Sequence, residues 1–141
     1  MADKETLIVE TTTGKLEGAF EKGLYTFKGI PYAAPPVGSL RWLPPQPVTP
    51  WNGVRKAVNY GAIAPQNKAL IPIFEEEPEP QSEDCLFLNV YSPGLDDARR
   101  PVMVWIHGGA FCMGSGSIPI YRTGTLASHG NIVLVTINYR L

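Results

Sequence analysis

The residues best suited to chemistry stand together at 107–116, His-Gly-Gly-Ala-Phe-Cys-Met-Gly-Ser-Gly, directly after the uncharged run Val-Met-Val-Trp-Ile at 102–106. Paired glycines at 108 and 109 remove the side chains from a turn, so that backbone N–H groups can approach a ligand closely. Such a turn receives negative charge, and three glycine-rich motifs compete for it. A phosphate loop needs a lysine and a hydroxyl residue after its second glycine, whereas Gly114 leads into Ser115 and Gly116 with no lysine. A dinucleotide fingerprint needs a third glycine where Pro119 stands. The remaining motif is an oxyanion loop: a His-Gly-Gly segment ends a sheet strand, and its N–H groups face the oxygen that gains charge when a carbonyl is attacked. His107-Gly108-Gly109-Ala110 fits that motif. A tight turn made by Gly-Gly alone is the bland alternative, and it leaves Phe111, the further glycines and the preceding strand without a reason.

A loop of this kind must be carried by a sheet. The run 102–106, β-branched residues with Met and Trp, reads as a strand buried on both faces. Two more strands are expected at 86–91 (LFLNVY) and 132–139 (IVLVTINY). Residues 123–129 can form a short helix, with Thr123 as cap and Gly130 as stop. His129, near its C-terminus, is read as a surface partner of the helix dipole. Strand, crossover, strand predicts a parallel α/β sheet. Upstream, the runs 7–12, 15–21 and 24–28 are divided by Thr13-Gly14 and Lys22-Gly23, which predicts a small antiparallel meander. Residues 29–50 carry repeated prolines but also Ile30, Tyr32, Val37, Leu40 and Trp42, with Trp51 following, so they read as ordered coil packed on the body. Residues 51–67 offer one short strand. The acidic run Glu75-Glu76-Glu77-Pro78-Glu79-Pro80 reads as a solvated, mobile loop; it lacks the Asp, Asn and Gly spacing of a calcium loop, so no metal is assigned.

Composition narrows the partners. The 141 residues fit one domain, and 44% are hydrophobic. Lys plus Arg number 12 against 13 Asp plus Glu, a net charge of -1, which leaves no basic footprint for nucleic acid. The N-terminus is charged at once, and nowhere do about 18 apolar residues run together, so neither an export signal nor a membrane partner is expected. Cys85 and Cys112 are too few for a disulfide framework and read as free thiols in a reducing cytoplasm.

Five stretches resemble the type-B carboxylesterase and cholinesterase family of the α/β-hydrolase fold: FKGIPYAAPPVGSLRW (27–42), PWNGV (50–54), SEDCLFLNVY (82–91), VWIHGGAF (104–111) and INYRL (137–141). They cover nearly the whole chain, and SEDCLFLNVY is the most diagnostic. The resemblance implies an α/β chain, the N-terminal portion of an α/β-hydrolase fold and of its single catalytic domain. Residues 1–28 would form the small antiparallel sheet, 29–80 the proline-rich coil and mobile acidic loop, and 81–141 the first strands of the central mixed sheet with the oxyanion loop. It also places the strand at 132–139 between those at 86–91 and 102–107. By position, Gly109 and Ala110 are implied as the backbone donors of the oxyanion hole, with Gly108 giving room and Phe111 lining the acyl side of the pocket. His107 is implied to hold the loop, because the acid-base histidine follows the nucleophile in chain order. Arg41 is implied to pair with Glu83, tying the proline-rich segment to the strand that begins at Leu86, and Arg140 to be a scaffold ion-pair donor whose partner lies outside these residues. One departure stands out. Secreted members close a disulfide between a cysteine near 64 and the one at 85; here the sequence is Ala64-Pro65-Gln66, which suits a bacterial, cytoplasmic member.

The implied activity is hydrolysis of carboxylic esters by acyl transfer, without cofactor or metal. Family members run several times longer, and the Gly-x-Ser-x-Gly nucleophile elbow, the acidic partner and the catalytic histidine are not among these residues. Ser115 and Ser117 do not replace the nucleophile, since they lie in the loop rather than at a strand-to-helix turn. The chain alone is therefore expected to be inactive, its partners being a small ester and the remainder of the esterase, in the same polypeptide or a companion chain. A catalytically dead, cholinesterase-like interaction protein is the alternative; the intact HGGAF segment argues for the enzyme.

Overall fold

A computed structural model describes residues 7–67, 79–122 and 124–141. The proposed cap Thr123 and most of the acidic run lie outside the described residues. Strands β1 (Leu7–Thr11), β2 (Gly14–Glu21) and β3 (Leu24–Pro31) follow one another antiparallel. The turn between β2 and β3 puts both Lys22 (φ 52°) and Gly23 (φ 79°) in the left-handed region, the conformation that matches the strands' twist in a two-residue hairpin. β2 is shared. Its first half pairs with β1 and, parallel, with β4 (Val54–Lys56), while 19–21 pair with β3.

β3 does not stop at Lys28 as the turn pattern suggests. It runs through a bulge to Pro31 and pairs antiparallel with β5 (Phe87–Ser92), which joins the N-terminal strands to the central sheet. The order is β1-β2-β3-β5-β7-β6, with β6 at Val102–Ile106 and β7 at Val133–Ile137. β7 thus lies between β5 and β6, as the resemblance implies, and it runs antiparallel to the first and parallel to the second. The crossover contains helix α1 (Thr125–Gly130). Its stop is Asn131, left-handed at φ 45° and ψ 47°, and not Gly130, which remains helical; asparagine tolerates this conformation at a helix end.

The bulge is held by a buried side chain. Lys28 N–H turns to the Ala57 carbonyl (2.7 Å), and Gly29 N–H donates to Asn89 Oδ1 (3.0 Å). Asn89 Nδ2 in turn donates to Thr136 Oγ1 (3.0 Å), so one amide links β3, β5 and β7. Asn89→Ala strands a backbone donor and a buried hydroxyl. We expect it to cost about 2–3 kcal/mol, read as a lower urea midpoint at unchanged slope; an unchanged midpoint would contradict this role.

The described residues pack as three small clusters: Leu24, Tyr91, Ala127 and Leu134; Leu16, Phe27 and Ala57; and Ala33, Ala64, Cys85 and Leu86. β6 belongs to none. All its residues are exposed, Ile106 at 65%, although their composition reads as buried on both faces. The reason is topological: β6 is the sheet edge, paired on one side only, by β7, and of its side chains Trp105 meets the Tyr121 ring at 5.1 Å. In the proline-rich coil Ala33 is buried and Tyr32 Oη donates to the Asn138 carbonyl (2.6 Å). Its apolar residues are only partly covered, however: Val37 and Trp42 are exposed, the Trp42 ring lying 5.1 Å from the Arg41 guanidinium carbon.

Candidate functional site

β6 pairs with β7 as far as Ile106 and Ile137, and the chain leaves the sheet at His107. The His107 side chain is buried and stacks on Tyr139, with ring centroids 4.3 Å apart and planes 11° from parallel. Tyr139 Oη donates to the His107 carbonyl (2.7 Å). His107 Nδ1 lies 2.8 Å from the Gly108 carbonyl oxygen, which can only accept, so Nδ1 carries the proton. Burial pushes the imidazole below its usual pKa against the raising pull of the Gly108 carbonyl and Glu79, which keeps the ring neutral near pH 7.

These contacts decide where two amides point. A trans peptide is planar, so its C=O and N–H face opposite ways, and fixing one aims the other. The Gly108 carbonyl, held by His107, aims the N–H of Gly109. The Gly109 carbonyl accepts from the N–H groups of Cys112 (3.0 Å) and Met113 (3.2 Å), which aims the N–H of Ala110. Among the described residues neither amide donates a hydrogen bond. The turn is strained: Gly109 (φ 127°), Ala110 (φ 53°) and Phe111 (φ 58°) are all left-handed. A Cβ on Gly109 would stand 1.9 Å from the Met113 carbonyl oxygen, so only glycine fits. A Cβ on Gly108 would meet nothing within 4 Å of the described atoms, so its open side is free for something else. Phe111 is exposed, its ring edge-on to Tyr139 at 6.2 Å.

A model of the carboxylesterase family matches residues 5–141. The chain belongs to the carboxylesterase family. It is 48% identical over 134 residues to the para-nitrobenzyl esterase of Bacillus subtilis (strain 168), covering 95% of this chain and 27% of that protein. To the phenmedipham hydrolase of Pseudarthrobacter oxydans it is 50% identical over 137 residues, covering 95% and 28%. A solved PNB esterase superposes with a TM-score of 0.91 at 47% identity, over 96% of this chain and 28% of that one. The carboxylesterase EST55 of Geobacillus stearothermophilus gives a TM-score of 0.85 at 48% identity, over 95% and 26%. The chain therefore spans about a quarter of the length of these relatives, and its fold is the N-terminal part of an α/β-hydrolase fold.

The other residues predicted for this carboxylesterase-family chain make contacts of their own. Arg41 Nε is 2.6 Å from Glu83 Oε1, with both side chains about half exposed, a pair worth roughly 0–1 kcal/mol. Arg140 Nη1 donates to the Leu43 carbonyl (2.9 Å), a hydrogen bond to the coil and not an ion pair. Cys85 is buried and Cys112 exposed, both as free thiols, and burial pushes the Cys85 thiol up. His129 is exposed, its Nδ1 3.0 Å from the Thr125 carbonyl one turn back.

The acidic run needs one correction. Glu79, at its end, is docked rather than solvated: Oε2 accepts from Ser115 Oγ (2.8 Å) and Oε1 faces Arg122 Nη2 (3.3 Å). Arg122 Nε also donates to the Ser117 carbonyl. Ser115 is thereby buried with its proton committed to a carboxylate, unlike a nucleophile awaiting a base. Sequence reasoning missed Glu79, Arg122, Gln66, Asn138 and Tyr139 as supports of the loop. Asn138 and Tyr139 left a trace as polar residues ending an apolar strand; Gln66 left none, since its contact on the loop lies 48 residues away. Among the described residues no group of three or more His, Cys, Asp or Glu converges as metal ligands, and no helix is long and apolar enough to cross a membrane.

Proposed function

We propose that this chain is the N-terminal part of a serine carboxylesterase that hydrolyses carboxylic esters by acyl transfer, and that it supplies the oxyanion hole. The observation that carries the reading is the pair of amides at Gly109 and Ala110, without partners among the described residues and aimed by anchored carbonyls at the C-terminal end of a sheet strand. A serine of the remaining esterase, in the same polypeptide or a companion chain, attacks the ester carbonyl; the two N–H groups stabilise the charge on its oxygen, the alcohol leaves, and water releases the acid. Each donor is worth about 2.7–4 kcal/mol of barrier. Gly108 leaves room for the substrate and Phe111 lines the acyl side. His107, neutral and donating to its neighbour's carbonyl, holds the loop and transfers no proton. Arg41, Glu83 and Arg140 tie the coil to the sheet. The names of the relatives support an ester substrate, and the two free thiols support a reducing, cytoplasmic setting. The exposed β6 supports packing of the remaining esterase against it, and with no nucleophile elbow among these residues the chain alone is inactive.

Fluorophosphonate labelling tests this. The complete esterase is expected to take the label on a serine and the 141-residue chain to take none. A complete protein that refuses the label would contradict the enzyme and favour a cholinesterase-like interaction protein without a nucleophile.

A further inference from the structure

We infer that Gln66 is a positioning residue for the oxyanion loop, its side-chain amide clamping Gly114 so that the loop's return limb backs the carbonyl of Gly108. The inference rests on reading Gly109 and Ala110 as the oxyanion donors. Gly114 N–H donates to Gln66 Oε1 (2.7 Å), and Gln66 Nε2 donates back to the Gly114 carbonyl (2.9 Å). This closed pair of bonds is what one rung of a β ladder would supply, delivered here by a side chain. The second Nε2 hydrogen goes to the Ala64 carbonyl (3.1 Å), which fixes which end of the amide is nitrogen.

The clamp has a firm mount. Gln66 N–H donates to Gln81 Oε1 (2.9 Å), Ile63 N–H to the Pro80 carbonyl (2.9 Å), and Ser82 N–H back to the Ile63 carbonyl (2.9 Å). Residues 63–66 are therefore tied to the segment that leads into β5. The clamp also has a target. Gly114 sits so close to the loop's outgoing limb that a Cβ on it would be 2.6 Å from both the Gly108 carbonyl oxygen and His107 Nδ1. Displacing Gly114 moves the wall against which that carbonyl rests, and with it the N–H of Gly109. Asn138 repeats the device two residues on: its Oδ1 accepts from Gly116 N–H (2.7 Å) and its Nδ2 donates to the Ala62 carbonyl (3.1 Å). Two amide side chains stitch 114–116 to 62–64.

The test uses the complete esterase. Gln66→Ala is expected to lower kcat about ten- to a hundredfold with KM within about threefold. It should weaken a trifluoromethyl ketone inhibitor, whose adduct with the serine carries the oxyanion, by the same factor as kcat/KM. Gln66→Glu adds a readout that a merely structural role would not move. Ionised, the carboxylate cannot donate to the Gly114 carbonyl; protonated, its O–H and C=O restore both bonds. The ratio of its kcat to that of the unmodified enzyme should therefore rise as pH falls from about 8 to about 5. A folded Gln66→Ala enzyme with kcat within about twofold of the original, or a Gln66→Glu ratio that is flat with pH, would overturn the inference; if Gln66→Ala fails to fold, the ratio decides. Gly109→Ala separates the two readings. If it leaves kcat unchanged, the oxyanion assignment itself falls and the clamp with it; if it is damaging while both Gln66 variants are neutral, only the clamp falls.

Discussion

Gly109→Ala is expected to lower kcat of the complete esterase about 100- to 1000-fold with little change in KM. The new Cβ would stand 1.9 Å from the Met113 carbonyl oxygen, and φ of 127° is a conformation that alanine avoids. The loop must open at Met113, and the bonds from Cys112 and Met113 to the Gly109 carbonyl go with it. That carbonyl shares a peptide plane with the N–H of Ala110, so one methyl group misdirects a donor without touching the substrate. The loss should fall on kcat, because the hole matters most once charge has developed on the oxygen. Proline at 110 would be a blunter probe: Ala110 has φ of 53°, which proline cannot adopt, so the loop would break along with the lost N–H. Steady-state kinetics on a p-nitrophenyl ester, with circular dichroism as a check on folding, measure the effect; kcat within about tenfold of the original would contradict it.

The second large effect is at His107. Removing the ring in His107→Ala frees the Gly108 carbonyl, which aims the Gly109 donor, and unstacks Tyr139. We expect kcat to drop about ten- to a hundredfold. His107→Asn should recover most of it, since the asparagine amide nitrogen lies close to the place of Nδ1 and donates in the same direction. A catalytic base would behave differently: asparagine cannot take a proton, so no recovery would return His107 to the proton-transfer machinery. The same residue sets a pH dependence of stability. Burial lowers its folded pKa below the ordinary 6.5, so the unfolded chain binds the proton more readily. Its contribution is fully present above the unfolded value and is lost as pH falls towards the lowered folded one. Thermal unfolding followed downward from neutral pH should show a decline that His107→Asn reduces; identical slopes would contradict this.

What the sequence revealed followed the range of the interactions. Hydrophobic runs marked β5, β6 and β7, and turn residues marked the hairpins, because those signals act over a few residues. The bulge that carries β3 past Lys28 was hidden, since it depends on Asn89, 60 residues downstream. The helix stop shifted from Gly130 to Asn131 because glycine and asparagine both tolerate the left-handed conformation that ends a helix, and the two stand side by side in the sequence. The expectation of β6 buried on both faces described its composition, but burial is a property of neighbours, and at the sheet edge β7 is its one strand partner among the described residues. The His-Gly-Gly segment was legible as a glycine turn directly after a sheet strand. The contacts that hold its return limb were not, for they come from the distant side chains of Gln66, Glu79 and Asn138.

The central claim is that the N–H groups of Gly109 and Ala110 receive the oxyanion, and a crystal structure of the complete esterase inhibited by a phosphonate tests it most directly. The phosphonyl oxygen occupies the place of the oxyanion once the serine has added to phosphorus. We predict it about 2.7–3.1 Å from both nitrogens, with the Gly108 and Gly109 carbonyls still held from behind. An oxygen turned away from this loop, within hydrogen-bond distance of neither amide, would contradict the account.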